Sequence, residues 1–104
     1  MEEYIINRIL YLIGYQLEKN TQLKKVSSTN YYIPFQFNNQ FAVDYLVDQI
    51  EEFKLKHPEI FEYLKIDIAD NNTTDFISYI KLKIIFEFKN LKEIDKIGAY
   101  LKVI

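Results

Sequence analysis

His57 is the only histidine, and imidazole alone among unperturbed side chains changes charge near neutral pH. Work as a base or a metal ligand would need a carboxylate or a second ligand at a fixed spacing. Here His57 precedes Pro58, and Glu59 and Glu62 read as the outer side of a short helix. The residue therefore reads as a helix-terminal histidine. The run Asp67, Asp70, Asn71, Asn72 and Asp75 offers the oxygen ligands that calcium and magnesium prefer. Its spacing is not that of a calcium-binding helix–loop–helix, and the glycine of that loop's sharp turn is missing. Asx side chains in turns already bond nearby backbone, so the run reads as a turn. The chain has no cysteine, and its only glycines are Gly14 and Gly98. Disulfides, thiolate metal sites and glycine-rich phosphate loops are thereby excluded. No catalytic residue, metal site or cofactor is expected.

Three surfaces carry binding chemistry instead. Tyr4, Arg8, Tyr11 and Tyr15 recur at i, i+4, i+7 and i+11, so on one helix they form a ridge opposite an apolar stripe. Tyrosine and arginine are enriched among the energetic hot spots of protein interfaces, and Arg8 is the only arginine in the chain. Asp44, Asp48 and Glu51, with Glu52 beside them, make an acidic row suited to steering a basic partner. Lys56, four residues beyond Glu52, softens that row. Tyr32, Tyr79, Lys81 and Lys83, with Lys24, place aromatics among lysines on strand faces, as modules that stack single-stranded bases do. The glycines and paired aromatics of RNA-recognition strands are absent, and the net charge is −2. Protein binding is the first expectation. A single-stranded nucleic-acid module is the alternative.

The elements that would position these groups follow from periodicity and punctuation. Ile6, Ile9, Leu10, Ile13 and Leu17 mark a helix over 4–19. Leu23–Ser27 and Tyr31–Phe37 flank the polar turn Ser28-Thr29-Asn30 as a hairpin, with Pro34 placing the second arm at an edge or a bulge. Asn38 and Asn39 can cap a helix over about 40–56 whose buried face is Val43, Leu46, Val47, Ile50 and Phe53. His57-Pro58 ends it, and proline suits the start of a short helix over 58–64. A third strand alternates through Leu64, Ile66 and Ile68. A fourth covers 76–89, a span long enough to call for a bend. Asn90 then starts a last helix over 91–104 with Leu91, Ile94, Ile97, Leu101 and Ile104 on one side. The order α-ββ-α-ββ-α predicts an α+β fold, an antiparallel sheet of about four strands in two hairpins with three main helices.

Apolar residues are 49% and charged residues 27% of the 104, which is enough to build one core over residues 1–104 without staples. The apolar start of the chain lacks the basic lead and unbroken run of a secretory signal. No stretch approaches the ~18 continuous apolar residues of a membrane span. A cytoplasmic setting is expected. Isoleucine (16) and lysine (12 of the 13 basic residues) crowd out alanine and arginine, the mark of an AT-rich genome such as those of many low-GC bacteria, phages and mobile elements. The expected protein is thus a non-enzymatic binder that works by surface complementarity. A viral or mobile-element inhibitor of a host machine would fit, with the binder itself forming a homodimer.

Overall fold

The computed structural model describes residues 1–15, 23–70 and 80–104. Helix α1 (Glu2–Leu12) is followed by strands β1 (Lys24–Lys25) and β2 (Asn30–Phe37), then by helix α2 (Gln40–Lys56). Strands β3 (Leu64–Asp70) and β4 (Ile80–Phe88) and helix α3 (Ile94–Val103) complete the order. Three helices and one antiparallel sheet, ordered β1-β2-β4-β3, give the α-ββ-α-ββ-α arrangement expected from the pattern.

Helix α2 has the expected bounds because both ends carry local chemistry. The Asn39 side chain accepts from the Ala42 N–H at 2.9 Å, satisfying an otherwise orphaned donor. Pro58 excludes the helical region at its other end and opens a 3-10 turn, Pro58–Glu62. Helix α1 is shorter than the 4–19 expected. Gly14 takes φ +89, the Tyr15 N–H bonds the Leu10 carbonyl at 2.9 Å, and the Gly14 N–H bonds the Tyr11 carbonyl at 3.1 Å. That is a Schellman stop, which a left-handed glycine makes at little steric cost. Leu17, expected on the apolar stripe, lies outside the described residues. The last helix also starts later than 91: Leu91–Glu93 is a 3-10 turn, and Leu91 is exposed.

Three backbone bonds set the phase of the sheet. Phe88 N–H donates to the Thr29 carbonyl at 2.9 Å, Lys89 N–H to the Tyr63 carbonyl at 2.8 Å, and Val26 N–H to the Asn30 carbonyl at 2.9 Å. In an antiparallel ladder alternate residues bond alternate neighbours. The odd-numbered residues of β2 therefore bond β4, and its even-numbered ones face β1. Pro34 is even, so its missing N–H takes nothing from the β2–β4 ladder. The register Asn30↔Glu87 to Phe37↔Ile80 runs through it without a bulge. The proline thus sits on an edge-facing position, beyond the described reach of β1.

Tyr31, Ile33, Leu64, Ile66, Leu82, Ile84, Phe86 and Phe88 are buried on one sheet face, against Ile5, Ile6, Ile9 and Leu10 of α1. Leu46, Ile50 and Phe53 of α2, and Ile97 and Leu101 of α3, close the same core. Val47 departs from expectation: it is 37% exposed, at the flank where α2 overhangs β3. All three helices pack on this face. Among the described residues no helix is long and apolar enough to cross a membrane.

Candidate functional site

The ridge expected on α1 is divided by its own helix stop. Tyr4 and Tyr11 are exposed, at 40% and 61%. Tyr15 lies past Gly14 and turns inward, edge-on to Phe35 at 5.9 Å and tilted to Tyr45 at 6.5 Å. Burial, with Tyr45 adding to it, holds the Tyr15 phenol above its ordinary pKa. Arg8 is only half-exposed. Its Nε donates to the Leu101 carbonyl at 3.3 Å and its Nη2 to the Ile104 carbonyl at 3.0 Å, and its guanidinium lies 5.2 Å from the Tyr11 ring centre. The arginine closes the end of α3, leaving two tyrosines as the outward part of the ridge.

The outward face of α2 is richer than the acidic row alone. Phe41 is 85% exposed, Tyr45 55% and Leu55 82%. With Asp48 and Glu52 they recur at i, i+4, i+7, i+11 and i+14, on the side opposite the buried Leu46, Ile50 and Phe53. Asp44 and Glu51 flank this stripe. Lys56 pairs with Glu52 at 2.8 Å and Lys54 with Glu51 at 3.6 Å, and Gln40 donates to Asp44 at 3.0 Å. No cation pairs with Asp44 or Asp48 among the described residues. Sequence reasoning singled out the carboxylates and passed over Phe41, Tyr45 and Leu55. The signal was available, because apolar residues at helical spacing on a polar face are the pattern of a contact stripe.

The outer sheet face carries Tyr32 with Lys83 Nζ 5.3 Å from its ring centre, and Lys24 opposite Tyr32 in the ladder. Lys81 lies on the same face. Asp67 and Glu87 share it, and Lys65 pairs with Asp67 at 3.3 Å. The phosphate-binding character expected of the lysines is thereby diluted. Tyr79, Asn71, Asn72 and Asp75 lie outside the described residues. Among the described residues no three His, Asp or Glu side chains gather as metal ligands would.

His57 has partners that local spacing could not show. Its Nδ1 lies 2.8 Å from the Tyr100 hydroxyl, on the last helix, and its ring packs 4.9 Å from Phe53. The Tyr100 hydroxyl also hydrogen-bonds the Glu59 carboxylate, chiefly by which that carboxyl is held below its usual range. The same bond raises the Tyr100 phenol. The cluster pins α3 to the end of α2. It borders a cavity of about 160 Å³ lined by Ile60, Tyr63 and Ile97 with Lys96, whose ammonium is already paired with Glu93 at 2.7 Å.

A lowered carboxyl pKa contributes stability that is fully present above the ordinary carboxylate range and lost as pH falls through the lowered value. Tyr100→Phe should therefore move the Glu59 carbon titration upward toward the ordinary range. It should also shrink the acid-side fall in thermal midpoint that wild type shows below about pH 4.5. An unchanged Glu59 midpoint would refute the bond.

No protein-family model matches the chain, and no curated protein matches it. Solved structures resemble it distantly. A Cs H-NOX mutant with the unnatural amino acid 4-cyano-L-phenylalanine is 18% identical with a TM-score of 0.43, over 86% of this chain and 45% of that one. A mutant of T. Tengcongensis H-NOX is 18% identical with a TM-score of 0.42, over 86% and 45%. A structure on modulating heme redox potential through protein-induced porphyrin distortion is 15% identical with a TM-score of 0.46, over 86% and 53%. The chain spans about half the length of these structures. A resemblance this distant assigns no chemistry to the chain.

Proposed function

We propose that this chain is a non-enzymatic binding protein of the cytoplasm that holds another protein against the outward face of α2, with Tyr11 of α1 as a further anchor. The observation that carries the reading is the Phe41, Tyr45 and Leu55 stripe, exposed at 85%, 55% and 82% on a helix whose opposite side is fully packed. The exposed parts of these side chains add little to the fold. Buried on a partner, each gains ~1.5–3 kcal/mol. Asp44, Asp48, Glu51 and Glu52 around them select the partner's charge. The complementary surface is an apolar stripe flanked by lysine or arginine.

Two synthetic amphipathic helices test this, identical in their leucine stripe and flanked by lysine in one and glutamate in the other. In NMR titrations the lysine peptide should shift the amides of Phe41, Tyr45, Asp48 and Leu55, and more strongly at low salt. The glutamate peptide should leave them in place. Phe41→Ala with Leu55→Ala should weaken the lysine peptide by about tenfold or more without changing the thermal midpoint. Equal binding of both peptides, or shifts confined to the outer sheet face, would overturn the reading.

A further inference from the structure

Among the described residues strand β3 ends the sheet on the side away from β1, and the two edges are built differently. Among the described residues the β1 edge is two residues long and entirely lysine, Lys24–Lys25. Short, lysine-rich edges resist pairing with other chains. The β3 edge is seven residues, Leu64–Asp70, with no proline and no bulge in its register with β4. The Lys89–Tyr63 backbone bond fixes which groups it offers. Tyr63 and the odd residues after it bond β4, so the N–H and C=O groups of Leu64, Ile66 and Ile68 face outward along the edge. Cavities of about 330 Å³ and 200 Å³ flank this edge, between β3 and the Val47, Glu51 and Lys54 side of α2.

We propose that β3 pairs antiparallel with β3 of a second copy across a two-fold axis centred on Ile66, joining two four-stranded sheets into one of eight. Only edge-facing residues can form the hydrogen-bonded pairs, so even numbers oppose even numbers. Among those registers, centring on Ile66 alone sets Lys65 opposite Asp67 of the partner subunit, and Asp67 opposite the partner's Lys65. Moving the centre to Lys65 opposes lysine to lysine, and moving it to Asp67 opposes aspartate to aspartate. Sliding it to Leu64 shortens the overlap, and sliding it to Ile68 sets Asp67 opposite the partner's Ala69 and leaves Lys65 outside the pairing. The chosen register pairs residues 64–68 of each copy, with Ile66 opposite itself and Leu64 opposite the partner's Ile68. Lys65 and Asp67 are 55% and 51% exposed and 3.3 Å apart within one strand, so the pairing exchanges the intrachain ion pair of each copy for two interchain ones. The half-exposed Val47 sits above this seam. The inference uses a different edge from the α2 stripe and stands independently of the partner proposed for it.

Sedimentation over about 1 µM to 1 mM tests the pairing, with a concentration-dependent dimer expected. Lys65→Glu alone and Asp67→Lys alone each place like charges opposite one another at two symmetric positions, and each should weaken the dimer roughly tenfold. The double swap Lys65→Asp with Asp67→Lys restores opposite charges and should return affinity to within about twofold of wild type. Far-UV circular dichroism and the midpoint of the dilute protein should stay unchanged in all three. A protein monomeric at about 1 mM, a dimer indifferent to either single reversal, or a swap that fails to rescue would each overturn the proposal.

Discussion

Phe86→Ala should remove about 3–5 kcal/mol of folding stability, the largest loss expected of any single change discussed for this chain. Phe86 is fully buried in β4, the strand flanked by β2 and β3. Tyr31 and Ile66 are its partners across the sheet, and both point into the same core. Truncation loses the transfer energy of the ring and leaves a void that β4, held on both sides, cannot close. Domains of this size typically hold ~5–15 kcal/mol in total, so the variant should be marginal at room temperature. Phe86→Leu, which keeps most of the volume, should lose less than about 2 kcal/mol. Urea denaturation read by far-UV circular dichroism should show the midpoint falling with little change in slope. A loss below about 1.5 kcal/mol for the alanine variant would mean that the core is not organised around this row.

Arg8→Ala comes second, at about 2 kcal/mol. The two carbonyls Arg8 serves belong to the last turn of α3, where no later N–H of the helix can reach them. Removing the guanidinium loses two charge-assisted bonds, a favourable cation at a helix C-terminus, and the contact with the Tyr11 ring. Arg8→Lys should recover less than half, since an ammonium cannot span two carbonyls with a planar fork. Amide exchange should quicken most in α3 and leave β4 protected. If Arg8→Ala changes stability by less than about 0.5 kcal/mol, the bonds are replaced by water without loss.

What could be read ahead of the coordinates depended on how far each residue's partner lies along the chain. Both ends of α2 were legible because Asn39 serves Ala42 and Pro58 constrains His57. The alternation in β3 and β4 was legible because one face of each is buried. The end of α1 was misjudged by extending the apolar period to Leu17. Gly14, the residue best able to take φ +89, already marked the stop. Arg8 looked like a free anchor because its acceptors lie 93 and 96 residues away. His57 looked partnerless because Tyr100 lies 43 residues on. Val47 was placed inside by helical spacing alone, and only the position of α2 over β3 shows why it is half-open. The β3 edge depends on strand order, which no local pattern encodes.

The Arg8 tie has a consequence for how the molecule is made. Helix α1 leaves the ribosome before the rest of this core, with Ile5, Ile6, Ile9 and Leu10 ready to dock, yet α3, the helix that flanks it, is translated after every other element of that core. At ~5–20 residues per second, a separation of 93 residues leaves that greasy surface waiting roughly 5–20 s. Nascent chains stalled short of Leu101 should therefore stay protease-sensitive, and the α1 stripe is the place where a chaperone would hold them.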